Sequence, residues 1–155
     1  MTKVRQSTAE LTAGTGGRAV DVLVVDDDVP LRESALEALA LGGFLAAGVA
    51  NGAEAIRFLI TEQADLILLD LRMPVLDGWS FLRHRASSGR LSRIPVVVMS
   101  GEPRDPVLLA YAEGWLSKPF SEDDLVETVA TELRRIHGLP GLPRRPTPTA
   151  VMRKP

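Results

Sequence analysis

The chain has 155 residues, 45% hydrophobic and 25% charged, which is enough for one soluble-type domain with a real core. Cysteine is absent, which excludes disulfides, thiolate nucleophiles and Cys-based zinc or iron–sulfur sites. The net charge of -2 hides a split: residues 21–137 carry 19 acidic and 11 basic side chains, a net of -8, which argues against nucleic acid as a direct partner.

Residues 1–20 carry three basic side chains and one acidic, and residues 138–155 carry four basic and none acidic. No apolar run reaches the roughly 18 residues a membrane helix needs, and the start of the chain lacks a signal-type apolar block. A cytoplasmic protein without membrane contact is the expectation. Residues 1–19 are rich in Thr and Gly and show no period, so they read as a disordered extension. Residues 138–155 hold five of the 11 prolines and read as a disordered basic tail. The folded unit is therefore expected over 20–137.

Within it, apolar runs alternate with helical patterns. DVLVV, residues 21–25, predicts a buried strand. Leu31, Ala35 and Leu39, with Leu36 and Ala40, give the i, i+4 rhythm of a helix over 31–41, and Pro30 suits its first turn. FLAAGV predicts a second strand and residues 52–60 a second helix. LILL, residues 66–69, predicts a third strand, and 77–85 a third helix with Asp77 as its cap. IPVVVM is the fourth strand, Pro106–Tyr111 a short fourth helix and WLS the fifth strand. Ser121 opens the last helix, with Asp124 as a capping-box acid, and Gly138 stops it after Ile136. Five unbroken apolar strands alternating with five helices predict a doubly wound α/β fold with a parallel sheet covered on both faces.

The chemistry falls where strands end. LILLD delivers Asp70 at the carboxyl edge of the third strand, and VLVVDDD delivers Asp26, Asp27 and Asp28 at the edge of the first. Carboxylates gathered in one crevice repel unless a cation sits among them. Asp26 and Asp27 are the candidate ligands for Mg²⁺, which takes hard oxygens and keeps several waters. The competing reading is an exposed acidic loop, and Asp28 can instead cap the next helix. Asp70 is the candidate nucleophile, against a loop or capping acid. Pro74 restricts the loop that follows it, and Gly78 allows a close turn. Ser100, before Gly101, can offer a hydroxyl to an oxyanion, although Ser-Gly is also a common turn pair. Lys118 can supply a fixed positive charge beside a phosphate, and Lys118–Pro119 is a candidate cis bond that would aim it inward. His84 and His137 read as surface residues far from any strand end, and no zinc set exists. Trp79 and Trp115 lack stacking partners of the kind that bind nucleotides, and no glycine-rich phosphate loop precedes a helix.

An acidic pair after the first strand, Asp70 after the third, Ser100 after the fourth and Lys118-Pro119 after the fifth form an ordered set that resembles the receiver domain of two-component response regulators. The resemblance covers 21–136, and the MPVLDG stretch after Asp70 is similar to that family's loop. It implies a flavodoxin-like sheet in the order 2-1-3-4-5. It implies that Asp70 accepts a phosphoryl group from a histidine kinase or phosphotransfer protein. Asp26 and Asp27 would match the Mg²⁺ pair, and Arg72 the position whose backbone carbonyl completes the metal site. Ser100 and Lys118 would match the groups that hold the phosphoryl oxygens, and Trp115 the aromatic switch. One departure stands out: Ser100 and Lys118 lie only 18 positions apart, so the fourth helix should be shortened and family-type dimerisation is in doubt.

The 18 residues after His137 are too few and too proline-rich for a DNA-binding helix-turn-helix. The expectation is a single-domain regulator, a monomer that signals by contact with a downstream protein. A receiver-like binding module that works without phosphorylation is the alternative. A haloacid-dehalogenase-type phosphatase is disfavoured because Arg72 stands where that chemistry wants a second acid.

Overall fold

Alternation along four strands decides the architecture. In the computed structural model, which describes residues 19–138, β1 is Ala19–Val25, β3 is Gln63–Asp70, β4 is Val96–Ser100 and β5 is Gly114–Ser117. Successive side chains leave a strand on opposite faces. Leu23, Val25, Ile67, Leu69, Val96, Val98 and Trp115 therefore enter one core. Val22, Val24, Leu66, Leu68, Val97, Met99 and Leu116 enter the other. Both faces are apolar, so both must be covered by helices.

The helices that cover them are α1 (Val29–Leu41), α2 (Gly52–Thr61), α3 (Gly78–Ala86), α4 (Pro106–Leu109) and α5 (Glu122–His137). Ala35, Ala38 and Leu39 of α1 join Leu125, Val129 and Leu133 of α5 on one face. Ala55 and Leu59 of α2, Phe81 and Leu82 of α3, and Leu108 of α4 fill the other. With β2 (Ala46–Val49), the five strands form one parallel sheet in the order β2-β1-β3-β4-β5. This is the predicted doubly wound topology. No described helix is long and apolar enough to cross a membrane.

Caps set the helix starts. The side chains of Asp28, Asn51, Asp77 and Asp105 each accept a backbone N–H of the helix that follows. Ser121 and Asp124 form both halves of a capping box, as expected. Gly138, in the left-handed conformation at φ 61°, ends α5.

Some bounds differ from those expected: β2 leaves out Phe44 and Leu45, and α1 begins at Val29. β1 starts at Ala19, because Ala19 and Val20 pair with Gln63 and Ala64 of a β3 that is itself longer than LILL. A single 3-10 turn, Leu91–Arg93, precedes β4. The fourth helix is shorter than expected and ends at Leu109. Ala110 and Tyr111 bond back three residues, to Val107 and Leu108, so the chain tightens and turns there. The expectations for residues 1–18 and 139–155 lie outside the described residues.

Candidate functional site at the carboxyl edge of the sheet

Register brings the acids together. Val25 pairs with Leu69 across β1 and β3, so the next residues, Asp26 and Asp70, stand side by side at one level. Asp70 in turn pairs with Met99, which puts Ser100 one step further along β4. Ser100 pairs with Ser117, and Lys118 follows, its backbone N–H donating to the Ser100 carbonyl at 2.8 Å. A parallel sheet ends all its strands at one edge, and this sequence ends three of them on polar residues and follows a fourth with Asp26.

The side chains converge accordingly. Asp26 is fully buried and Asp70 is 8% exposed, while Asp27 is exposed. One carboxylate oxygen from each of the three lies within 4.8 Å of the others. The Lys118 ammonium donates to Asp26 Oδ2 at 3.1 Å and to Asp70 Oδ1 at 3.2 Å. Asp26 Oδ1 accepts the Asp28 N–H at 2.9 Å. The Lys118–Pro119 bond is cis, as anticipated.

Electrostatics follow from that packing. Burial holds the Asp70 carboxyl above its usual range, the charge of Asp26 adds to this, and Lys118 offsets only part of it. Burial pulls the Lys118 ammonium down, but the carboxylates of Asp26 and Asp70 outweigh it and leave Lys118 above its ordinary value. The site is thus short of positive charge: three carboxylates share one lysine. A set made only of hard oxygens with a surplus of negative charge fits Mg²⁺ rather than zinc or a soft metal.

The loops hold this geometry in place. Gly78 lies so close to the strand end that an added Cβ would come within 2.4 Å of the Asp70 carbonyl oxygen. Only glycine permits that approach. Between them, the Leu76 N–H donates to the Pro74 carbonyl across Val75, whose φ is 71°. An i to i+2 bond over a residue of positive φ is the strained form of γ-turn.

The Ser100 hydroxyl is buried and accepts the Glu102 N–H at 3.0 Å. Arg72 is exposed, and its side chain pairs with Glu102 across the two loops that flank Asp70. Trp115 is buried in the core beside α4, its indole N–H without a hydrogen-bond partner among the described residues. Trp79 packs partly buried against the same core. His84 is exposed. His137 is also exposed, but its Nε2 lies 3.4 Å from Asp65 Oδ2 near the start of β3, so it is not far from every strand end. That end is opposite the acidic site.

Two arginines escaped the sequence reading. Arg32 of α1 donates to the Asp26 backbone carbonyl at 2.6 Å. Its one signal is that it is the only basic residue of α1. Arg85 of α3 is buried, and donates to the Ile94 and Tyr111 carbonyls at 2.8 Å each and to Glu113 at 3.0 Å. Its signal was position: it falls three and four residues after the buried Leu82 and Phe81.

A family model described as the response regulator receiver domain matches residues 22–130. The chain belongs to this family. It is 40% identical over 125 residues to the transcriptional regulatory protein PrrA of Mycobacterium tuberculosis, covering 78% of this chain and 53% of the relative. It is 34% identical over 123 residues to the response regulator MprA of Mycobacterium ulcerans, covering 76% and 51%. The receiver thus spans about half the length of the curated relatives it matches. Among solved structures it resembles the chemotaxis response regulator CheY4 of Vibrio cholerae, with a TM-score of 0.65 and 28% identity over 76% of this chain and 98% of that one. A CheY-like receiver domain from Methanospirillum hungatei JF-1 gives 0.68 and 27%, over 76% and 97%.

Proposed function

We propose that this receiver, over residues 20–137, accepts a phosphoryl group on Asp70 from a histidine kinase or phosphotransfer protein and signals through protein contact. The observation that carries the reading is Lys118, whose ammonium bridges the buried carboxylates of Asp26 and Asp70 at the sheet edge. A cation held there serves the incoming phosphoryl oxygens as well as it serves the resting carboxylates.

In the transfer an Asp70 carboxylate oxygen attacks phosphorus. The bond between phosphorus and the donor imidazole nitrogen breaks, and its electron pair stays with the imidazole. Asp26, Asp27 and Asp70, with the Arg72 backbone carbonyl, would hold Mg²⁺. When bound, Mg²⁺ neutralises part of the charge on the phosphoryl oxygens. Lys118 pairs with one of those oxygens, and the Ser100 hydroxyl leaves the Glu102 N–H to donate to another. That movement opens room near Trp115, the candidate switch residue, and carries the change to the surface around α4. The acidic charge of the folded part supports a protein target rather than nucleic acid for this unit.

The test is mass analysis of the intact protein after acetyl phosphate treatment. The wild type should gain one phosphoryl group with Mg²⁺ present and none with a chelator. Asp70→Asn should gain none, and Asp65→Asn should label as the wild type does. A wild type that stays unlabelled but still binds a target would favour a module that works without phosphorylation.

A further inference from the structure

Asp26 is held at every polar atom. Its N–H donates to the Val49 carbonyl of β2 at 3.1 Å. Its two carboxylate oxygens accept from Asp28 and Lys118. Its carbonyl accepts from Arg32 at 2.6 Å, a short charge-assisted bond. That last bond has a consequence for the neighbouring acid. The Asp26 carbonyl belongs to the peptide plane that carries the N–H of Asp27. A rotation of this plane would redirect Asp27, which nothing else in the surrounding core encloses, since it is exposed.

Arg32 is itself fixed from two sides. Its backbone N–H donates to the Asp28 carbonyl at 2.8 Å, in the first turn of α1. Its stem runs over β2 at Gly48, where an added Cβ would lie 3.0 Å from the Arg32 Cδ and equally close to Leu36. A half-buried arginine with a packed stem presents its guanidinium in one place.

We infer that Arg32 is a positioning residue for the metal site: it locks the Asp26–Asp27 peptide so that Asp27 faces Asp70. The inference rests on the Mg²⁺-dependent reading above. It makes a prediction of unusual sign. A guanidinium bonded to the backbone of the ligand turn repels an incoming Mg²⁺, so if Arg32 were only a nearby charge, its removal would tighten Mg²⁺ binding. If it positions the ligand turn, its removal weakens binding. Partners that orient metal ligands contribute about tenfold or more in affinity.

The experiment is a Mg²⁺ titration of the full chain, followed by tryptophan fluorescence and by calorimetry, for wild type, Arg32→Met and Arg32→Lys. Circular dichroism melts without metal report whether each variant is folded. Arg32→Met should bind Mg²⁺ about tenfold more weakly. Arg32→Lys keeps a donor on a shorter, non-planar head and should fall between the two. If Arg32→Met does not fold, the lysine variant decides, by a weaker or an unchanged affinity. Either folded variant binding Mg²⁺ as tightly as wild type, or more tightly, would overturn the inference and leave the site reading intact. A wild type that bound no Mg²⁺ would overturn both.

Discussion

The environment of Asp70 makes a thermodynamic prediction before any phosphoryl donor is added. Burial, then the charge of Asp26, raise its folded pKa above the ordinary 3.8. The ionised form therefore costs stability above the folded pKa. Below about 3.8 the carboxyl is protonated in both states and the cost vanishes. Asp70→Asn should accordingly be more stable than wild type at pH 7 without Mg²⁺, and the gain should shrink as pH falls towards 3.8. Denaturant melts across that range check this, and a wild type more stable than the variant at pH 7 would contradict it. Val75 gives a second prediction. It is β-branched, 81% exposed and at φ 71°, so it contributes strain without burial. Val75→Gly should raise stability by about 1 kcal/mol, after its larger unfolded-state entropy is counted. Thermal melts at fixed pH measure it, and a loss of stability would show that Val75 makes contacts of its own.

Elements were legible in the sequence to the extent that one signal dominated them. The apolar runs VLVV, LILL and VVVM are buried on both faces of the sheet, and their shortness between turn signals marks them as strands. Asp77 and the Ser121–Asp124 pair announced their helices by capping. The acids and Lys118 were legible because each lies at or just past the carboxyl end of a strand. α4 was less so. Its end is decided by distant partners: Arg85 takes the Tyr111 carbonyl and Glu113, and Glu113 also accepts the Val96 N–H at 2.7 Å. No local pattern in PVLLAYAEG encodes that network. It stops the helix at four residues and anchors the entry to β5. Arg32 was hidden for the same reason, since its partner is a backbone carbonyl six residues away. α4 should then be the least protected helix of the domain, since so short a helix depends wholly on packing and only Leu108 is buried. Amide exchange should be fast at Val107–Leu109 and slow across Val96–Met99 of β4. Equal protection in both would defeat that reading.

For the whole molecule, the short α4 limits what the surface can bind. Val107 and Leu109 are exposed on it and Tyr111 just after it, but four residues of helix and a turn give them little area. Stable association needs on the order of 1,000 Å² with good fit. The unphosphorylated protein should be a monomer by light scattering at low micromolar concentration, and a tight dimer blocked by Leu109→Asp would show that α4 builds a larger face than its length suggests. An acyl phosphate, once formed with acetyl phosphate and Mg²⁺, is reduced by borohydride to the alcohol of the modified residue. Peptide mapping should then find homoserine at position 70 and unchanged aspartate at 26, 27 and 28. Homoserine at any of those three, with Asp70 unmodified, would contradict the account.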